Sequence, residues 1–199
     1  MVAILTGDIK NSSAHKTTKW LLLLKEALGK YGKEPKAWEI YRGDSFQLET
    51  HPENALEAAV YIKTCIKQIR HMDVRIAIGL GEKTYDAQKI TESNGPAFVL
   101  SGECFENLKK QTMALKSASQ DFDTPINLML QLASLSMDSW LPATARVVKT
   151  ALDNPKASQT ELASILGKSQ STISEALIRA GFDEVQKMIQ FYQSQLSQL

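Results

Sequence analysis

The chain has 199 residues, 43% apolar and 23% charged, and its 23 Lys and Arg against 22 Asp and Glu leave a net charge of +1. This is the balance of a globular protein with length for one large domain or two small ones. It excludes a membrane-spanning chain, since no apolar run is long enough, and it excludes attraction to nucleic acid by global charge alone.

In chain order, the apolar run over residues 2–7 predicts a buried strand ended by Gly7 and Asp8. The polar stretch Lys10–His15 follows, then a helix over Thr17–Tyr31 with Trp20, Leu21, Leu24 and Leu28 on one side. Trp38–Arg42 and Ser45–Glu49 read as two strands of a tight hairpin about Gly43-Asp44. Pro52–Arg70 carries a helical stripe that includes Leu56, Val60, Ile62, Cys65 and Ile69. Val74–Gly79 alternates as a strand, Asn94–Lys110 predicts a helix opened by Gly95-Pro96, and Met113–Lys116 a last strand. The order β-α-β-β-α-β implies an α/β fold of the ferredoxin-like, split βαβ kind, over residues 1–118. Strand signals then vanish. Leu128–Leu135 predicts a connecting helix within a linker at 119–138, and an all-α unit fills 139–199, with Asp138-Ser139 capping its first helix.

Within that unit Gln159–Leu177 has the pattern of a helix-turn-helix. Leu162, Ala163 and Leu166 share a face of the first helix, Ile173 and Leu177 a face of the second. Ala163 is small where the helices cross, Gly167 suits the left-handed end of a helix, and Ser169 is a good N-cap. The expected DNA-contacting set is Lys168, Ser169, Gln170, Ser171, Ser174 and Arg179. Gln170, Ser171 and Ser174 can reach base edges, Gln being suited to adenine, while Lys168 and Arg179 reach phosphates. The pattern resembles the helix-turn-helix domains of bacterial regulators. An ordinary packed hairpin, or a protein-interaction module, is the competing reading. Residues 139–199 hold six Lys or Arg against five Asp or Glu, too even a balance for tight binding by one copy. A homodimer would double the contacts. The stripe Val185, Met188, Ile189, Tyr192 and Leu196 on the last helix reads first as a packing face and second as a dimer contact.

Asp8 and Asp44 each follow a glycine and come from neighbouring strands. Two such carboxylates can hold Mg²⁺, which keeps waters and bridges to substrate phosphates, so a bound nucleotide is a further expectation. Lys10, His15 and Lys16 could form a phosphate-facing loop. His15, His51 and His71 have no ligand spacing and read as surface residues, and Trp20 and Trp38 as core or interface. Cys65 and Cys104, far apart in apolar contexts, read as buried free thiols in a reducing compartment. Val2-Ala3-Ile4-Leu5 is too short, and lacks the basic lead, for a secretory signal. A cytoplasmic location is expected.

Leu5-Thr6-Gly7-Asp8-Ile9, Tyr41-Arg42-Gly43-Asp44-Ser45-Phe46, Val74–Glu82 and Asn94-Gly95-Pro96-Ala97-Phe98 together resemble, in order, the catalytic domain of class III nucleotide cyclases. The resemblance implies a metal-binding role for Asp8 and Asp44. It also exposes departures. The Asn and Arg that such enzymes place after Gly-Pro are Val99 and Glu103 here, and the purine-selecting Lys is Ile40. Loss of the cationic residue speaks against cyclase catalysis, so no catalytic residue is assigned. From Ile4–Ile9 through Arg179-Ala180-Gly181-Phe182 the chain resembles the SatD family of bacterial proteins. That likeness implies a cyclase-like first domain and a C-terminal helix-turn-helix. The expected function, read from the two parts together, is a DNA-binding transcriptional regulator with a sensor or dimerisation module, or alternatively a metal-dependent nucleotide-binding protein or enzyme.

Overall fold

A computed structural model describes residues 1–14 and 17–199, so His15 and Lys16 of the predicted phosphate-facing loop lie outside the described residues. The strands are β1 (Val2–Lys10), β2 (Trp38–Tyr41), β3 (Ser45–Thr50), β4 (Asp73–Gly81) and β5 (Met113–Lys116). The helices are α1 (Thr17–Gly29), α2 (Ala55–Lys67), α3 (Pro96–Glu106), α4 (Gln120–Met137), α5 (Pro142–Asp153), α6 (Gln159–Leu166), α7 (Gln170–Ala180) and α8 (Phe182–Gln195). The fold is mixed α/β. One five-stranded sheet in the order β2-β3-β1-β4-β5 is antiparallel throughout except for the β4–β5 pair.

β1 lies at the centre, and its alternation sorts the layers. Ala3, Leu5 and Ile9 face a core shared with Leu24 and Leu28 of α1 and Leu56, Ile62 and Ile66 of α2. Ile4 faces the other way, onto Ala97 and Phe98 of α3. Burial on both faces is why the strand reads as a continuous apolar run. The strand passes the predicted stop at Gly7 and continues to Lys10. Asp8 pairs with Ser45 on one side and Arg75 on the other, and Lys10 with Asp73. Ladder bonds to two neighbours override the turn tendency of Gly-Asp.

Gly79 in β4 lets α3 approach closely: a Cβ there would lie 2.2 Å from the Ala97 carbonyl oxygen and 2.4 Å from the Ser101 nitrogen. On the same face Thr6 and Ser101 share a buried hydroxyl hydrogen bond of 3.0 Å.

α4 is longer than the expected 128–135 segment. Ser119 caps it, accepting from the Phe122 nitrogen. It packs on β5 and seals the sheet edge. The Asn127 side chain accepts from the Leu115 nitrogen and donates to the Leu115 oxygen, both at 2.8 Å, so it stands in for a missing neighbouring strand. Both carboxylate oxygens of buried Asp123 accept from the Ser117 nitrogen, at 3.0 and 2.9 Å.

Asp138 does not cap the next helix as expected. α5 begins at Pro142, and the Asp138 carboxylate turns instead to Lys63 at 2.7 Å. Lys63 is fully buried on α2 and also reaches Asp73 at 2.6 Å, while the Thr112 hydroxyl donates to Asp138 at 2.7 Å. The helices beyond this knot share the main core, through Trp140, Val148, Ala180, Val185, Met188, Ile189 and Tyr192. Tyr192 donates its hydroxyl to the Pro52 oxygen at 2.6 Å, and Tyr61 to Asp153 at 2.8 Å. The α8 stripe is therefore a packing face within one chain. Val185, Met188, Ile189 and Tyr192 are buried by this packing, and Leu196 is partly buried. No helix among the described residues is long and apolar enough to cross a membrane.

Candidate functional site

Two places collect the side chains singled out in the sequence. The first is the end of the sheet where β1 stops and β3, β4 and β5 begin. Four turns meet there, and each contains a non-glycine residue in the left-handed region: Asn11 (φ 62°), Arg42 (52°), His71 (63°) and Lys109 (50°). Among the described residues these are all the non-glycine positions with positive φ. Such conformations cost on the order of 1 kcal/mol each and gather at functional sites.

Asp8 and Asp44 both stand at this end, since Asp8 pairs across to Ser45. The Asp8 carboxylate is occupied. Arg75 donates from Nε to Oδ1 at 2.9 Å and from a second guanidinium nitrogen to Oδ2, in a bidentate fork. The guanidinium lies 5.2 Å from the Phe105 ring centroid. Donating to the Asp8 carboxylate raises the pKa of Arg75, so the cation is permanent. Asp44 accepts from the Ser12 hydroxyl at 2.6 Å, and its carbonyl accepts from the Ile9 nitrogen at 3.2 Å.

For Mg²⁺ the fit is poor as the side chains stand. One carboxylate is balanced by a guanidinium, the other is tied to a hydroxyl, and no group of three or more His, Cys, Asp or Glu is gathered among the described residues. What surrounds Asp8 is mostly cationic: Lys10, Arg75, Lys109 and Lys110, with neutral Asn11, line a depression of about 460 Å³. Arg75 had no place in the sequence-based site. Its signal was a charge at an alternating position of β4, on the face that Ala77 and Gly79 turn toward α3. Of the residues replacing the cyclase pair, Val99 is exposed and Glu103 is paired with Lys116 at 2.6 Å.

The second place is the α6–α7 pair. Ser158 and Glu161 form a capping box: the Glu161 nitrogen donates to Ser158 Oγ at 3.3 Å, and the Ser158 nitrogen to Glu161 Oε2 at 2.7 Å. Gly167, at φ 61° and ψ 41°, ends α6 in the left-handed region. Ser169 caps α7 by accepting from the Thr172 nitrogen at 3.2 Å. Leu162, Ala163, Ile173, Ala176 and Leu177 join Val147 and Ala151 of α5 in one small core. Lys168, Gln170, Ser171, Glu175 and Arg179 are exposed, and Ser174 is half-buried. Ser169 is exposed too, but its hydroxyl is engaged as the cap. Gln170 donates to Gln159 Oε1 at 2.7 Å, which fixes the start of α7 against the start of α6. Gln159 went unnoticed as its positioning partner.

No family model matches the chain, and comparison with curated proteins returns no match.

The thiols contribute no nucleophile to either place. Cys65 and Cys104 are free and buried, as expected, and burial pushes their pKa values up to about 12 and about 11. At neutral pH both are essentially all thiol. In the folded chain both should resist a thiol-reactive dye, and both should label fully in guanidinium. Rapid labelling of either without denaturant would contradict this burial.

Proposed function

We propose that the chain is a DNA-binding transcriptional regulator in which α6 and α7 act as a helix-turn-helix and α7 enters the major groove. The observation that carries this reading is the exposed N-terminal half of α7, presented by a turn locked at Gly167 and Ser169 and steadied by the Gln159–Gln170 bond. Gln170, Ser171 and Ser174 read base edges, and Lys168 and Arg179 contact phosphates. In this proposal residues 1–118 form a ferredoxin-like, cyclase-like sensor or dimerisation domain, and the full-length likeness to the SatD family stands with it.

The test is a mobility-shift titration on DNA selected from a random pool, repeated over a salt series. With Lys168 and Arg179 from each of two copies, the slope of log K against log salt is expected near −3.6, from about −0.9 per phosphate contact. Lys168→Ala should flatten that slope by about two in a dimer, while Gln170→Ala should cost roughly 1–3 kcal/mol at one base position only. Absence of any shift at low salt, or a salt-insensitive one, rejects the DNA reading. Ile165 and Ile178, exposed on the same helix pair, would then favour its use as a protein-interaction module.

The cationic depression beside Asp8 favours a second reading, that the first domain binds a nucleotide or another phosphate-bearing ligand, with or without turnover. Mg²⁺ could join it only if Arg75 released Asp8. Calorimetry with ATP and GTP, with and without Mg²⁺, tests this. Binding or turnover unchanged in the Asp8→Asn, Asp44→Asn double variant would exclude the two aspartates from the site.

A further inference from the structure

The structure assigns the exposed α4–α8 face to a second copy of this chain, paired about a two-fold axis. α4 is buried along one side through Phe122, Ile126, Leu130 and Met137. Its opposite side carries Leu128, Leu132 and Leu135, which are 55, 59 and 78% exposed. Their spacing of four and then three residues is that of a coiled-coil seam. From Thr124 to Met137 the helix has no charged residue. Beside the stripe, exposed Phe191 of α8 and the partly buried Met129 and Ala133 of α4 flank an apolar groove of about 670 Å³, which the largely buried Val185 and Met188 also line. A contiguous apolar surface of this kind marks an interaction site.

Symmetry identifies the occupant. α4 and α8 run antiparallel. Near one end the Phe122 and Tyr192 rings are 6.0 Å apart, and near the other Ser136 Oγ donates to the Ala180 oxygen at 2.9 Å. Leu132 therefore lies level with the first turns of α8, where Glu184 and Lys187 form the charged rim of the groove. A two-fold axis through that level sets Leu132 against Leu132 of the second copy and Leu128 against its Leu135. The same axis passes between Glu184 and Lys187, so each Glu184 meets the other copy's Lys187 and like charges stay apart. Neither residue has an ion-pair partner among the described residues. One operator satisfies both helices, as an isologous interface requires. The 18-residue α4 runs about 27 Å. Flanked by α8, that length suits the roughly 800 Å² per partner of an ordinary interface. The face contains none of Lys168, Gln170, Ser171, Ser174 or Arg179, so the pairing stands or falls apart from the DNA reading.

Sedimentation velocity on the full chain over a concentration series tests the pairing. A dimer is expected at low micromolar concentration. Leu135→Glu, on a side chain that is mostly exposed, should raise the dimer Kd at least about a hundredfold with the circular dichroism spectrum unchanged, and should remove any dependence of Tm on protein concentration. Glu184→Lys and Lys187→Glu should each weaken the dimer about tenfold, and the double exchange should restore it. A monomer up to about 100 µM, or a dimer indifferent to Leu135→Glu, overturns the proposal. A double exchange no tighter than either single one overturns the two-fold arrangement.

Discussion

Replacing Lys63 with alanine is expected to lower the unfolding free energy by about 3–5 kcal/mol, the cost of breaking a buried ion pair by removing one partner. The Lys63 ammonium is shared between Asp73 at 2.6 Å and Asp138 at 2.7 Å, with Thr112 Oγ1 at 3.4 Å. Lys67 reaches Asp73 only at 3.5 Å and directs its shorter bond, 2.5 Å, to the Asp138 carbonyl. Without Lys63, the nearly buried Asp73 is left with one long ion pair, to Lys67, and the Val74 nitrogen at 2.8 Å. Asp138 is partly exposed, so water screens its share of the loss. In urea, the midpoint should fall with little change in slope, and Tm should drop by roughly 6–20 °C for a chain of this size. Lys63→Met preserves the packing and isolates the charge term. Adding Asp73→Asn to it should recover part of the loss, because the less exposed of the two carboxylates is then neutral and only the partly exposed Asp138 lacks its cation. A cost below about 1 kcal/mol for Lys63→Ala would show that the knot holds nothing together.

The second large effect is expected at Gly79. Alanine there places its Cβ 2.2 Å from the Ala97 oxygen and 2.4 Å from the Ser101 nitrogen, and both of those atoms are backbone. No rotamer change can relieve the clash, so α3 must move off β4. Overpacking of this kind costs about 1–3 kcal/mol and more where the backbone must shift. The upper end is expected because the move also breaks the Thr6–Ser101 bond and opens the contacts of Phe98 with Ile4. Cys104, on the same helix, gives a local readout: in Gly79→Ala it should label with a thiol reagent well before global unfolding, while Cys65 on α2 stays protected. Equal protection of both thiols, with Tm unchanged, would mean that α3 does not sit as close as described.

Most of the element sequence was legible because each signal is local. The alternation in β4, the Gly43 turn, the Gly95-Pro96 helix start, the Ser169 cap and the Gly167 stop all act within a few residues. The apolar stripe of α8 was legible as well. What covers it was not, since Pro52 and Phe122 lie far away in the chain. The same limit applied to the sheet end. The sequence put Asp8 and Asp44 near each other, but Arg75 stands 67 residues from Asp8, and only the antiparallel β1–β4 register sets them side by side.

Sequence alone therefore determined the hairpin turn at Gly43, the apolar faces of the helices, and the ends of α6 and α7 at Gly167 and Ser169, because short-range sterics and hydrogen bonding decide those matters. Tertiary structure alone decided that Asp8 is held by a guanidinium and that Lys63 is buried between two aspartates. It also decided that the segment expected as a linker helix, α4, packs on β5 and leaves a leucine seam uncovered. In each case the outcome depends on a charge or an apolar face meeting a partner brought close only by the assembled sheet.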